Sequence, residues 1–156
     1  MPPSLIIKDL LDEYRSRLGL DGSSNVLVSD EEVYHTIEQW CKNSYMSYMP
    51  VIALADEVAS TDSWPYQEDN FTHIFATIKD TDKASLQYLK WIQWSLRYKG
   101  IAIFTLAQGI TAEHADIVEF VETASFERGR IRVLDRNDGD HTSRVAIAMK
   151  WDLLSA

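Results

Sequence analysis

The side chains in this sequence that could do chemistry are few and scattered. Four histidines, His35, His73, His114 and His141, stand far apart and form neither an HxH nor an HExxH spacing, so no pair shares one helix face to grip a metal ion. No metal site is expected. There is no GxSxG elbow and no phosphate-cradling GxxxxGK loop, and Cys41 falls on the apolar stripe of a helical pattern, where a thiol is ordinarily buried and inert. What remains is a set of polar turns. Asp30 follows the apolar run Val26-Leu27-Val28, and Asp56 follows Val51-Ile52-Ala53-Leu54-Ala55. A carboxylate in such a turn can accept from a ligand hydroxyl or amine, and it can equally cap the next helix or end a strand. The polar stretch from Asp56 to Asn70 carries Trp64, Pro65 and Tyr66 and is long enough to line a site. Lys79 and Asp80 open the loop Lys79-Asp80-Thr81-Asp82-Lys83, which follows a central strand at the end where open α/β sheets place ligands. Its plainer reading is a solvated turn whose Asp82 caps a helix.

Those turns need elements to hold them. Residues 4–18 read as an amphipathic helix with Ile7, Leu10, Leu11, Tyr14 and Leu18 on one stripe. Val26-Leu27-Val28 reads as a buried strand, followed by a helix bearing Val33, Ile37, Trp40, Cys41 and Tyr48 that Pro50 stops; Val51 to Ala55 is a second strand. The clearest unit runs from Phe71 to Ala107: strand 72–78, loop 79–83, helix 84–98 and strand 101–106, with Gly100 in the helix-to-strand turn. Both strands are apolar on nearly consecutive residues, as a parallel sheet covered on both faces requires. A helix near 111–124 follows, and then Ile131 to Leu134 and Val145 to Trp151 alternate around Asn137-Asp138-Gly139-Asp140 as an antiparallel hairpin. The whole predicts a single α/β domain over 1–156, Rossmann-like, mostly parallel, with a C-terminal antiparallel hairpin.

The balance of charge narrows the partners. With 24 acidic against 15 basic residues, the chain of 156 residues carries a formal charge of −9, which opposes encounter with phosphate backbones and anionic lipid. Neither nucleic acid nor membrane is expected as a partner. A single cysteine suits a reducing, cytoplasmic or nuclear compartment, and the first residues, acidic by Asp9, read as neither a signal peptide nor a membrane span.

A parallel βαβ series closed by an antiparallel hairpin resembles the C-terminal part of class I S-adenosylmethionine (SAM) methyltransferases. The local wording agrees: Ala55-Asp56, then Trp64-Pro65-Tyr66, then Asp69-Asn70-Phe71-Thr72-His73-Ile74 is similar to that family's stretch from an acidic residue, through "lPf", to "nsFDxV", and Leu89 to Phe104 to its helix-to-strand phrase. The likeness covers residues 51–151. It implies a cofactor loop of glycines after a strand, where backbone amides at a helix N-terminus meet the methionine part of SAM. Here Val28-Ser29-Asp30-Glu31-Glu32 offers no glycine and three carboxylates. If Val26-Leu27-Val28 is the first strand, those carboxylates occupy the cofactor's place; if it is the second, the first strand and its loop are missing. In the latter case the resemblance matches Asp30 to the ribose-binding acid and Asp56 to the acid near the adenine. Thr72 stands where the family carries an aspartate.

The expectation is thus a methyltransferase-like domain that holds no cofactor and acts as a partner-binding or scaffold subunit. The alternative is an active small-molecule methyltransferase with a rebuilt SAM site, in which the N-terminal helix and the Trp64–Tyr66 loop close over the substrate. A third possibility is a non-methylating enzyme that takes an apolar ligand near Trp64, Tyr66, Met46 and Met49. On the helix 84–98, Leu86, Leu89, Ile92 and Leu96 face the sheet while Trp91, Trp94 and Tyr98 fall on the opposite side. Those three are expected to meet a protein partner or a second copy of the chain, unless the N-terminal helix folds back over them.

Overall fold

A computed structural model describes residues 3–13, 18–20, 23–43, 51–54, 64, 66–107, 109–138 and 141–151. Strands β1 (Asn25–Val28), β2 (Val51–Leu54), β3 (Phe71–Ile78), β4 (Leu96–Leu106), β5 (Ile131–Asp138) and β6 (His141–Met149) form one sheet in the order β2-β1-β3-β4-β6-β5. The first four positions in that order are parallel, and β6 and β5 run antiparallel at the far edge. Helices α1 (Pro3–Glu13), α2 (Glu31–Asn43), α3 (Lys83–Ser95) and α4 (His114–Thr123) supply the two covering layers.

Alternation along the strands sorts the core. Val26, Val28, Phe75, Ile101, Ile103 and Val145 turn to one side, where Ile7, Leu10 and Leu11 of α1 and Val33, Ile37, Trp40 and Cys41 of α2 meet them. Leu27, Ile74, Ala76, Ile78, Ala102, Phe104, Ala146 and Ala148 turn to the other, against Leu89 and Ile92 of α3 and Ile117 and Val121 of α4. Helices on both faces and a terminal hairpin are the Rossmann-like arrangement expected from the sequence.

Two details differ from that expectation. The periodicity predicts a helix to residue 98, but α3 ends at Ser95 and β4 begins at Leu96. Leu96 is apolar and buried in either arrangement, so spacing alone does not separate them. The backbone decides it: Asp69 N and Asn70 N donate to the carbonyls of Trp94 and Ser95 at 3.2 and 2.8 Å, ending the helix, and Leu96 already pairs with Phe71. Tyr98 therefore lies on a strand and does not continue the face of Trp91 and Trp94. In addition, α1 packs on the opposite side of the sheet from α3, so it does not cover that helix. Trp64 and Tyr66 do, as described next.

Candidate functional site

Strand order sets where a site belongs. The chain passes from β1 to β2 on one side and then returns to β3 on the other, so the direction reverses between β1 and β3, and in open α/β sheets ligands bind outside the strand ends at such a reversal. A crevice lies there. It leaves no room for a water molecule and is lined by Ser29, Asp30 and Val33 after β1, Phe75, Ala76 and Thr77 of β3, Ile103 and Thr105 of β4, and Ile7 of α1. Pockets that hold cofactor-sized ligands run to roughly 300–1,000 Å³.

Each polar residue lining the crevice makes a hydrogen bond within the protein. Asp30 precedes α2, and its Oδ1 accepts from Val33 N at 3.0 Å, while its carbonyl accepts from Tyr34 N at 2.9 Å. This is an N-cap, and Glu31 and Glu32 follow in the first turn, so the positive end of the helix is met by the chain's own carboxylates. Ser29 N donates to Phe75 O at 3.0 Å. Thr77 Oγ1 and Thr105 Oγ1 share a hydrogen bond of 2.9 Å across β3 and β4. On the other side of the sheet Tyr88 is hydrogen-bonded to Ser29; burial raises the Tyr88 phenol above its ordinary value, against the lowering effect of that bond, and Tyr66 nearby adds to the rise. Ile7, fully buried, brings an apolar side chain from α1 into the crevice.

The remaining candidate residues are dispersed. Lys79 and Asp80 are exposed at the end of β3; Asp80 Oδ1 accepts from Thr81 N at 2.7 Å, and Asp82 Oδ1 caps α3 by accepting from Ser85 N at 2.8 Å. That cap, mainly through the Ser85 backbone bond, lowers the Asp82 carboxyl below its ordinary value. Asp56, Met46 and Met49 lie outside the described residues. Trp64 and Tyr66 pack on α3: Trp64 stacks parallel to Trp91 with centroids 6.4 Å apart, meets Tyr66 and Tyr88 edge-on at 5.2 and 5.9 Å, and donates from Nε1 to Ser95 Oγ at 2.6 Å. Trp91 in turn meets Trp94 edge-on at 5.4 Å. This lattice occupies much of the second apolar face of α3, leaving Trp91 and Trp94 half-buried.

Several partners were not legible in the sequence. At the opposite end of the sheet Thr72 Oγ1 accepts from Asn25 N at 2.8 Å and donates to Asn25 O at 3.0 Å, tying β3 to the start of β1. His73 Nε2 donates to the Leu18 carbonyl, which fixes the chain after α1. Lys150 Nζ, buried, donates to Leu96 O at 2.8 Å and to Asp69 Oδ1 at 3.1 Å. None of these pairings has a local spacing that could announce it. Among the described residues no group of three or more potential ligands could hold a metal ion, and no helix is long and apolar enough to cross a membrane.

The sequence matches no family model and no curated protein. Solved structures do resemble it. A SAM-dependent methyltransferase from Archaeoglobus fulgidus superposes with a TM-score of 0.62 at 9% identity over 94% of each chain. A chain of the complex between the Haloferax volcanii Trm112 methyltransferase activator and a methyltransferase gives 0.59 at 9% identity, over 96% of this chain and 94% of that one. Magnesium protoporphyrin IX methyltransferase from Synechocystis PCC 6803, solved with bound SAM, gives 0.58 at 12%, over 94% of this chain and 79% of that one. At these identities the likeness is one of fold: the chain has the class I SAM-dependent methyltransferase fold.

Proposed function

We propose that this methyltransferase-like domain acts by binding a protein partner rather than by transferring a methyl group, and that it holds no cofactor. The observation that carries the proposal is the β1–α2 turn at the point of strand reversal. A SAM carboxylate placed there would need free amides and a positive helix end, whereas Asp30 uses one amide and three successive carboxylates already oppose the dipole. Ile7 and the size of the crevice act in the same direction. Asp30 is on this reading a helix cap. That a protein of this fold is known in complex with an activator supports partner binding as a use of the scaffold.

The partner surface we assign is the outer flank of α3, at Trp91 and Trp94; Tyr98, on β4, does not share it. Aromatic side chains that stay half-exposed on a helix already covered in part are suited to complete an interface core. The test is isothermal titration of the purified chain with SAM and with S-adenosylhomocysteine, beside light scattering. We expect no saturable heat, and a mass of two chains that falls to one in the Trp91→Ala, Trp94→Ala double variant if the partner is a second copy. Saturable one-to-one binding of SAM would overturn the proposal in favour of an active enzyme with a rebuilt site. Lys79, Asp80, Trp64 and Tyr66 would then be the residues to probe around the substrate.

A further inference from the structure

At the start of β4, away from the crevice, the end of β6 comes beside residues 98–100. Lys99 N donates to Lys150 O and Lys150 N to Gly100 O, each at 2.8 Å, and Ile131 pairs with Ala148, which brings Arg130 to the same corner. Tyr98 and Trp151 lie there with ring centroids 5.2 Å apart. The Arg130 guanidinium sits 4.1 Å from the centroid of Trp151, and Lys99 Nζ is 5.5 Å from Trp151 and 5.7 Å from Tyr98. At 43% exposure Tyr98 is the exposed large hydrophobic residue among those described. Neither Lys99 nor Arg130 pairs with a carboxylate among the described residues. Lys99 is also held at φ 66°, a left-handed conformation that a residue with a Cβ adopts only where its surroundings impose it.

We infer that this corner is a docking site for an acidic segment of a partner protein. A guanidinium stacked on indole keeps its N–H edge free to take a carboxylate in bidentate fashion, and Lys99 supplies a second charge within 6 Å of both rings. Trp, Tyr and Arg together are the side chains that dominate interface energetics. The shelf is short: two cations around two rings suit one or two carboxylates with an adjacent apolar side chain, not a long row of phosphates. The net charge of −9 repels a polyanion or an anionic bilayer at long range, while a short acidic segment is attracted locally. The inference is independent of SAM binding, because the corner lies on the order of 20 Å along β4 from Thr105 in the crevice.

The test is selection of a phage-displayed library of random dodecapeptides on the immobilised full chain, with the recovered peptides then synthesised and measured by fluorescence anisotropy. We expect enrichment of Asp and Glu next to an aromatic or Leu residue. The synthetic peptide should lose roughly tenfold or more in affinity on Lys99→Ala plus Arg130→Ala, and on Trp151→Ala, with circular dichroism unchanged. Lys8→Ala plus Lys83→Ala, which removes the same charge elsewhere, should leave the affinity within about twofold. Peptides without acidic enrichment, or affinity moved equally by the two double variants, would overturn the inference. So would binding of oligothymidine or of phosphatidylserine vesicles that depends on Lys99 and Arg130 in place of the peptides.

Discussion

Replacing Asp30 by alanine separates the two roles its position allows. In the structure its Oδ1 takes the Val33 amide at 3.0 Å, the geometry of an N-cap. Loss of such a cap costs typically about 1 kcal/mol, within roughly 0.5–2. Removing the charge from the helix N-terminus adds about 0.3–1 kcal/mol in principle, but Glu31 and Glu32 remain to satisfy the dipole, so the total should stay near 1–1.5 kcal/mol. For a domain of this size that is a fall in Tm of roughly 2–6 °C. Asp30→Ser keeps a capping oxygen and should recover most of the loss, and Asp30→Asn should lose only a few tenths of a kcal/mol. The assay is urea denaturation followed by circular dichroism, run on all three variants beside titration with SAM. A variant Asp30→Ala as stable as the parent, with SAM binding present in the parent and gone in the variant, would refute the capping account and restore Asp30 as a ligand residue.

Other perturbations probe the frame that holds the crevice and the corner. Gly100→Ala would place its Cβ 2.7 Å from the backbone oxygen of Arg97, a contact with no flexible end to yield, and should destabilise by about 1–3 kcal/mol in denaturant titration. Lys150→Met keeps the apolar stem but removes the donor to Leu96 O and the partner of Asp69; a loss of about 1–3 kcal/mol is expected, against no change if the ammonium group is merely tolerated. Burial pushes the Cys41 thiol from 9.0 up to about 11, so in the native state it should react slowly with a disulfide reagent and quickly once unfolded. Cys41 and Tyr88 are both acids whose folded values are raised. The stability they contribute is complete below their ordinary values and is lost as pH rises through the folded ones, so denaturant midpoints should fall between pH 9 and 11, and fall less in Cys41→Ala.

Helix and strand patterning made the sheet, its two layers and the hairpin legible in the residues, because the unbroken apolar run Val26-Leu27-Val28 and the alternation from Val145 to Met149 admit few other arrangements. The end of α3 was not legible. Leu96 satisfies the helical stripe and the strand equally, and what ends the helix is a pair of amides from Asp69 and Asn70, residues far away in the chain. Asp30 was legible as a cap, since a polar residue followed by Glu31, Glu32 and an apolar stripe is a local signal. The crevice was not, for its walls come from four separate segments whose meeting depends on strand order. Nor was the aromatic corner: Tyr98 looked like a member of the α3 face, and its true neighbour, Trp151, is reached only through the pairing of β4 with β6.

Strand order also sets what the β1–α2 turn must satisfy. A helix N-terminus beside a sheet reversal leaves amides that must be satisfied, and a cofactor carboxylate is one way to do so. In this chain Asp30 does it from within, and the apolar space beside the turn is taken by Ile7, which also joins α1 to Val33 and Phe75 in one core layer. The two replacements support each other. A glycine at position 30 would free the turn but leave α2 uncapped, and detaching α1 would open the crevice but expose Ile7, Leu10 and Leu11 together. On the reading proposed above, opening a cofactor site at this turn would require at least two changes, each destabilising alone, so a single substitution at Asp30 or in α1 should lower stability without producing SAM binding.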